Sequence, residues 1–545
     1  MQNPLDLLHP TPTRTIDHES TRLSLALAFA GGTAGGLFGE ALERAATAPS
    51  YFNPGEFAGE LFLQRFIAQC FKVRLGQHEA VLNTRHLGNL ISHPPAEPSI
   101  VDFRRQLLAE LARLPACRKE LERLYQDLCR LRGLLENAGA LPVFDANRRK
   151  LDILRTARSI FDRMATGFAG ASSGLRRLAE YGGALQASEP YRSLADLLRY
   201  DARFSTVNVR LGIGADGRVS GFEIVSTSED AQNPFVNSLF GRWLAKIELF
   251  VRGYRFSDVE VLARLIDSVF SGLEDELVGL VQLLGDVEFY LGALGFRDIA
   301  EAAGLSVCLP EFVAASEPRS FSRLFNPLLL MSGVVPVPCD VGGAPLASTV
   351  LVTGPNSGGK TRLLQSLGLA QVLAQCGLFV PAHHARMALA SGLLASLIEE
   401  AKADQAEGRL GTELLRIRRL FERLPPGALV LLDELCSGTN PSEGEQIFEL
   451  VVSMLNQLKP QAFITTHFLS FASGLERSRR IPSLSFLQVE LDADRMPTYQ
   501  FAPGVAQSSL AGHTAERLGV TGDQLLQLIE QNIQKRPHGA FFAAT

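Results

Sequence analysis

Apolar residues recur every three or four positions along residues 98–164, with Arg, Lys and Glu between them. This spacing predicts an amphipathic helical hairpin or one long helix. Along residues 204–227 apolar residues fall at every second position on both sides of a Gly-Ala-Asp-Gly turn, which predicts a β-hairpin. The helical pattern resumes over residues 236–304. Long helices with a small β insertion are therefore predicted for this part of the chain.

Proline-rich stretches divide the chain into three predicted segments. Residues 1–20 contain three prolines and no sustained period, so we expect a loosely ordered arm before the helical patterns of 21–91. His93 precedes two prolines, which end these helices because proline lacks the amide proton that a helix needs. After the loop-rich stretch 310–347, strand and helix patterns alternate. The predicted segments are an N-terminal helical segment at 1–97, a helical core with the hairpin at 98–309, and an α/β domain at 310–545 that includes a last helix at 523–534.

The sequence STVLVTGPNSGGKT at 348–361 joins an apolar, β-branched run to a glycine-rich turn, and a helical pattern follows. The glycines let the backbone curl so that its N–H groups point at a phosphate, and the helix start directs its positive end at the same group. Lys360 adds a charge for the β- and γ-phosphates, and Thr361 adds a hydroxyl for Mg²⁺. The predicted nucleotide contacts are Gly354, Pro355, Asn356, Ser357, Gly358, Gly359, Lys360 and Thr361.

Two further strand patterns end in groups that suit phosphate chemistry. Residues 428–434, ALVLLDE, predict a buried parallel strand that delivers Asp433 and Glu434 at its carboxyl end, where open α/β sheets bind ligands. We expect Asp433 to hold Mg²⁺ directly or through water, and Glu434 to polarise the attacking water. The strand pattern at 462–466 leads into His467, which is expected to sense the γ-phosphate or position water. The alternatives are a solvated acidic turn and a structural histidine.

These motifs occur in one order and together resemble the ATPase domain of the MutS family. Its phosphate loop reads GPNMGGKS or GPNSGGKT, and its acidic strand continues as DE-x-x-x-GT-x-x-x-x-G, matched here at Gly438, Thr439 and Gly444. The ending FAPGVAQSSLAGHTAERLGV at 501–520 is similar to a further family segment. The resemblance implies an ABC-like P-loop ATPase domain that uses ATP and Mg²⁺. Upstream, the order of helices and hairpin is similar to the core, lever and clamp of MutS proteins.

Two features depart from the family pattern. Mismatch-repair members probe a base pair with a Phe-x-Glu wedge, whereas Phe57 and Glu60 have the wrong spacing, so we expect the shorter MutS branch without the N-terminal mismatch-binding domain. MutS proteins also carry Ser-Thr-Phe ahead of a Glu on a helix that reaches the partner's ATP. Alignment on Glu413 places Gly408 and Arg409 at the first two of those positions. Arg409 can contact phosphate there instead of the missing serine.

Composition limits the cellular locations and the binding partners that we expect for this protein. Seven cysteines are scattered without a C-x-x-C pair, which favours a reducing cytoplasm over a zinc site or a disulfide framework. The apolar run at 23–39 is shorter than the roughly 20 residues that span a bilayer, so we expect a buried, closely packed helix and no membrane.

The net charge is −5, so contact with nucleic acid must come from local patches. A basic bias after residue 147 indicates a solvated helix face or a surface that follows a phosphate backbone. Its members are Arg148, Arg149, Lys150, Arg155, Arg158, Arg163, Arg176 and Arg177.

The resemblance implies a MutS-like, Mg²⁺-dependent ATPase that dimerises through its ATPase domains, clamps duplex, mismatched or branched DNA and couples ATP hydrolysis to arm movement in DNA repair or recombination. An alternative is an ATP-gated scaffold whose arms hold a protein or a structured RNA, which the net charge and the missing wedge favour. A transporter-type ATPase subunit is disfavoured because the chain has no LSGGQ-type signature.

Overall fold

We describe a computed structural model of the 545-residue chain. The described residues are 3–31, 35–76, 78–136, 146–202, 206–213, 219–228, 258–344, 348–397, 408–436, 440–507 and 518–535. Residue contacts divide the chain into two compact units. The first comprises Met1–Ala48, Phe71–Leu90 and Glu97–Phe296, and the second comprises Pro49–Cys70, Ile91–Ala96 and Arg297–Thr545. Two short stretches of the predicted N-terminal segment 1–97 belong to the second unit, and the longest stretch of that unit begins at Arg297. The predicted boundaries at 97/98 and 309/310 stay predictions.

The described residues form 17 α-helices and 14 strands. The helices are α1 (His18–Ala30), α2 (Leu37–Glu43), α3 (Leu63–Cys70), α4 (Thr84–Ser92), α5 (Pro98–Arg113), α6 (Pro115–Glu136), α7 (Ala146–Gly167), α8 (Arg176–Gln186), α9 (Glu189–Ala202), α10 (Asp258–Ser271), α11 (Glu274–Ala302), α12 (Pro327–Leu330), α13 (Lys360–Gln375), α14 (Gly408–Arg423), α15 (Pro441–Leu458), α16 (Leu469–Ser478) and α17 (Gly522–Lys535). The strands are β1 (Val73–Leu75), β2 (His78–Ala80), β3 (Thr206–Ile213), β4 (Val219–Ser228), β5 (Glu311–Phe312), β6 (Arg319–Leu324), β7 (Cys339–Ala344), β8 (Thr349–Thr353), β9 (His384–Met387), β10 (Leu393–Ser396), β11 (Leu429–Leu432), β12 (Gln461–Thr465), β13 (Leu484–Leu491) and β14 (Pro497–Pro503).

Helix α11 forms the core of the first unit. Among the described helices it alone is long and apolar enough to cross a membrane, and 94% of its apolar window is buried, as in a core helix. Two other segments of the same chain pack closely against α11 at Gly285. A Cβ added there would lie 2.6 Å from Leu42 Cδ2 and 2.7 Å from His86 Nε2. A larger residue at Gly285 would therefore force these neighbours apart.

The N-terminal arm is packed, contrary to the expectation of loose order. Leu5, Leu7 and Leu8 are buried, and the equally buried Asp6 accepts hydrogen bonds from Leu8 N at 2.7 Å and Thr13 N at 2.8 Å. Asp286 of α11 accepts from Leu7 N at 2.9 Å. Side-chain acceptors thus satisfy a backbone that forms no regular element, which a periodicity argument cannot detect.

The predicted hairpin is present as β3 and β4, which pair antiparallel with Val207 opposite Thr227. Its Gly-Ala-Asp-Gly turn lies outside the described residues. The run at 23–39 is divided between α1 and α2 rather than forming one helix, because Gly31 ends α1 with a φ of 99°. Leu23 and Leu27 of α1 are exposed, so the expected buried helix is only partly realised.

Most of the basic side chains singled out after residue 147 form ion pairs or hydrogen bonds within the first unit. Arg149 is buried and donates to Ala28 O, at the end of α1, and to Leu134 O, near the end of α6. A cation near the carbonyl ends of two helices complements both helix dipoles. The other basic side chains of this set whose contacts are described each pair with a carboxylate or a backbone carbonyl. These are Lys150, Arg155, Arg158, Arg163, Arg176 and Arg177.

The described residues of the second unit form two sheets. One has six strands in the order β10-β11-β12-β8-β13-β14, parallel except for the antiparallel β13–β14 pair, and the other has four in the order β5-β9-β6-β7. Strands β8, β11 and β12 are buried throughout, as continuous apolar runs predict for parallel strands covered on both faces. Their carboxyl ends meet at one edge of the sheet, which is the edge that binds ligands in open α/β folds.

We expect acid to destabilise the first unit through His86. Its Nδ1 lies 2.8 Å from Leu42 O, and its Nε2 is buried without a hydrogen-bond partner. Burial lowers the pKa of His86 to about 4. Because the unfolded chain binds this proton at about pH 6.5, stability should be lost as the pH falls from about 6.5 towards 4, by about 3 kcal/mol in total.

Native-state hydrogen exchange of α4 measures this loss as an opening free energy at each pH. The variant His86→Leu should remove most of the pH dependence between about pH 6.5 and 4, whereas His78→Gln, at an exposed histidine, should retain it. Equal pH dependence in His86→Leu and the wild type would contradict the assignment.

Candidate nucleotide site

The glycine-rich loop follows β8 and leads into α13. Gly354 has a φ of 139°, and an added Cβ would lie 2.7 Å from Val489 Cγ2 on β13. Only glycine adopts this backbone conformation readily and leaves room for the neighbouring strand. Gly359, with a φ of 87°, begins α13 as its N-cap. The loop therefore has the shape that directs successive N–H groups to one side.

Lys360 lies inside this loop. Its Nζ donates to Gly354 O and Pro355 O, both at 3.0 Å, and only 5% of the residue is exposed. Burial lowers the pKa of Lys360, while the nearby carboxylates of Glu434 and Asp433 oppose the shift. The ammonium group is thus held at the centre of the loop, beside the acids of β11.

Asp433 connects the loop helix to the sheet. Its Oδ2 accepts from Thr361 Oγ1 at 2.5 Å, and its Oδ1 accepts from Thr465 Oγ1 at 2.5 Å. Strand β12, which carries Thr465, lies between β8 and β11 in the sheet order. The predicted metal-binding pair, Thr361 and Asp433, is therefore in direct contact, although 72 residues separate the two positions.

Glu434 and His467 form a pair at the same edge. His467 Nε2 lies 2.5 Å from Glu434 Oε1, and both side chains are about one-third exposed. Glu434 has a φ of 52°, a left-handed conformation that few residues other than glycine, Asn and Asp adopt. Such strain at a polar residue is typical of functional sites. Both side chains can be reached by solvent beside Lys360.

Hard oxygen ligands are available for Mg²⁺. The described residues contain no group of three or more His, Cys, Asp or Glu side chains that could hold a metal by themselves. Magnesium commonly takes one or two protein oxygens together with water and phosphate oxygens. The carboxylate of Asp433 and the hydroxyl of Thr361 fit this ligand set, provided that a nucleotide supplies the phosphates.

Comparison with known proteins agrees with this geometry. Residues 350–535 match the family MutS domain V. This part of the chain is similar to MutS domain V. Similar proteins include the proteins named Endonuclease MutS2 of Fusobacterium nucleatum, 28% identical over 263 residues, and of Symbiobacterium thermophilum, 31% identical over 263 residues. Each of these two matches covers 48% of this chain and 32% of the relative. The Endonuclease MutS2 of Thermus thermophilus is 32% identical over 240 residues, which is 43% of this chain and 31% of the relative.

The predicted resemblance to the MutS family is confirmed by matches that lie in the C-terminal half of the chain. The matches span about a third of the length of these relatives. Gly438 and Thr439, which extend the acidic motif, lie outside the described residues, and so do the side chains of Arg409 and Glu413. The phosphate contact expected of Arg409 therefore stays a prediction.

A cleft of about 850 Å³ extends from the phosphate loop. Asn356, Ser357 and Glu434 line it together with apolar side chains that the sequence analysis did not single out. A partly exposed apolar surface next to a phosphate loop suits the flat base of a nucleotide. The additional lining residues include Phe62, Val334, Val335, Val337, Tyr499 and Phe501.

One signal could have identified part of this apolar surface. Val334, Val335 and Val337 lie in the loop-rich stretch 310–347, and each is at least half exposed. Exposed valines in a loop call for an explanation when a ligand site is near. Phe62 gives no such signal, because it lies almost 300 positions before the phosphate loop.

The variant Gly354→Ala tests the shape of the loop. A methyl group there meets Val489 and requires a backbone conformation that costs about 1 to 3 kcal/mol. We expect the affinity for a fluorescent ATP analogue to fall about tenfold or more. Gly474→Ala, in α16 where a Cβ meets nothing within 4 Å, is the matched control and should bind the analogue as the wild type does. Wild-type affinity in Gly354→Ala would show that this glycine is dispensable.

Proposed function

We propose that this chain is a MutS-like, Mg²⁺-dependent ATPase that binds duplex, mismatched or branched DNA and couples ATP binding and hydrolysis to movement of its helical arms. The observation that supports it most is the contact of Asp433 with Thr361, which brings the acidic strand to the phosphate loop at 2.5 Å. The seven scattered cysteines, none of them in a C-x-x-C pair, agree with a cytoplasmic location.

Each site residue has a role in this proposal. The loop N–H groups, Asn356 and Lys360 bind the phosphates of ATP, and Thr361 and Asp433 hold the metal ion. Bound Mg²⁺ neutralises charge that develops on the phosphates.

The Glu434–His467 pair orients the water that attacks the γ-phosphate. With a proton on Nε2, His467 donates to Glu434 Oε1 and leaves Oε2 of the carboxylate to accept a hydrogen bond from that water. As the water oxygen bonds to the γ-phosphorus, the bond from that phosphorus to the oxygen of the ADP leaving group breaks, and the proton that the water loses passes to Oε2. Because Lys360 lies beside Glu434, the positive charge that binds phosphate and the base that activates water share one small site.

We further propose that two copies associate through their MutS V domains. The resemblance to MutS proteins implies that a helix beginning near Arg409 reaches the nucleotide of the partner. A guanidinium group there suits a phosphate. Helix α17 exposes a group of large apolar side chains, a feature that marks association surfaces. These side chains are Leu525, Leu526, Leu528 and Ile529.

One observation favours the alternative, an ATP-gated scaffold for a protein or structured RNA. Among the basic side chains predicted to follow a phosphate backbone, those whose contacts the structure gives have partners within the first unit. A surface whose cations are neutralised locally attracts DNA less strongly. DNA contact must then come from exchange of these surface ion pairs or from other parts of the arms.

Steady-state ATP hydrolysis tests the enzyme. Glu434→Gln should lower kcat by about 100-fold or more, because a general base is lost. It should leave nucleotide affinity nearly unchanged. Lys360→Ala should weaken nucleotide binding by about tenfold or more, because a charged hydrogen-bond donor is lost. Glu490→Gln, at an exposed carboxylate of the same domain, is the control and should behave as the wild type. Hydrolysis at the wild-type rate by both test variants would contradict the assignment.

Salt titration separates DNA binding from the scaffold alternative. We expect the affinity of Glu434→Gln, loaded with ATP, for duplex and four-way junction DNA to fall tenfold or more between about 50 and 200 mM salt, since each neutralised phosphate releases counterions. The Glu434→Gln variant keeps the nucleotide intact during the measurement. Affinity that does not change with salt, together with capture of a defined protein or RNA partner, would support the scaffold instead.

A further inference from the structure

Three buried threonines lie where β8 and β12 end, and only one of them contacts the acids. Thr353 Oγ1 donates to Leu487 O at 3.2 Å and accepts from Ala506 N at 3.0 Å, so it bonds to backbone alone. Thr466 Oγ1 accepts from Phe468 N at 3.1 Å, a local turn contact. Thr465 Oγ1 instead donates to the Asp433 carboxylate at 2.5 Å and accepts from Glu434 N at 2.7 Å.

The hydroxyl of Thr465 therefore fixes both acids at once. Its single proton is used on Asp433 Oδ1, and one of its lone pairs is used by the amide of Glu434. Thr361 holds the other oxygen of Asp433, so this carboxylate has a donor on each oxygen and cannot rotate without losing one of them. Thr465 is fully buried, so a hydrogen bond that its hydroxyl fails to make is costly.

The second bond stabilises a strained conformation. Glu434 has a φ of 52°, and its amide has the Thr465 hydroxyl as acceptor. Thr465 also precedes His467 by two residues on the same strand end, and His467 contacts the Glu434 side chain at 2.5 Å. One hydroxyl thus links the metal-binding acid, the backbone of the water-activating acid and the strand that leads to the histidine partner of Glu434.

We propose that Thr465 is a positioning residue, which acts through Asp433 and Glu434 and does not itself contact nucleotide. This inference rests on the proposed function, because the acids need such orientation only if they handle a metal ion and water. Groups that orient metal ligands typically change metal affinity or activity by about 10- to 100-fold when they are replaced.

Hydrogen exchange of the nucleotide-free protein tests the positioning by itself. Thr465→Val keeps the branched shape and removes the hydroxyl, so exchange of the Glu434 amide should become about tenfold faster. Thr465→Ser keeps the hydroxyl and should restore slow exchange. Thr353→Val, which removes the backbone-bonded hydroxyl on β8, should leave the Glu434 amide unchanged. Unchanged exchange in Thr465→Val, or equally fast exchange in Thr465→Ser, would overturn the inference.

A second measurement follows the metal. In the presence of an ATP analogue, the affinity for Mn²⁺ by electron paramagnetic resonance should fall about 10- to 100-fold in Thr465→Val and remain near the wild-type value in Thr465→Ser. Binding of the analogue in EDTA should change less than about twofold, since the phosphate loop is intact. Equal Mn²⁺ affinity in wild type and Thr465→Val would overturn the positioning role. Failure of the wild type to hydrolyse ATP would refute the proposed function, and the amide exchange result distinguishes that case.

Discussion

The carboxylate of Asp433 accepts a hydrogen bond from the helix that follows the phosphate loop and another from the strand beside its own. This pair of contacts, with Thr361 and Thr465, depends on the parallel order of β8, β12 and β11, because only that order brings three carboxyl ends to one edge. The buried apolar strands supply the rigidity, and the loop glycines supply the close approach. Hydrogen-bond donors fixed in this way around a carboxylate need not rearrange when charge develops beside it.

The local chemistry of the site was predictable from sequence because it follows short motifs. A strand, a glycine turn, Lys360 and an apolar run ending in Asp433 and Glu434 each specify a local conformation, and parallel strands bring the ends together. The β-hairpin was predictable for the same reason. The contribution of Phe62 to the nucleotide cleft was not, since no local pattern relates it to a loop almost 300 positions later. The packed N-terminal arm was missed because side-chain acceptors, such as Asp6 and Asp286, replace regular structure there.

Charge in the first unit is organised for the unit's own stability. Arg149 caps two helices from a buried position, whereas more exposed pairs such as Arg155 with Asp152 lie on helix surfaces. Surface pairs are worth only about 0 to 1 kcal/mol each, so a phosphate backbone can compete for the same cations. The basic bias of the sequence therefore does not decide between DNA and another partner. The phosphate loop and the acids of the second unit are common to both possibilities.

The central claim is that Lys360 and the acids of β11 face one another across a bound triphosphate. A crystal structure with Mg²⁺ and a non-hydrolysable ATP analogue tests it most directly. The account predicts Lys360 Nζ about 2.8 Å from a β- or γ-phosphate oxygen, Thr361 Oγ1 about 2.1 Å from the metal ion, and Glu434 on the γ-phosphate side. An analogue bound away from Lys360, or a γ-phosphate that points away from Asp433 and Glu434, would contradict it.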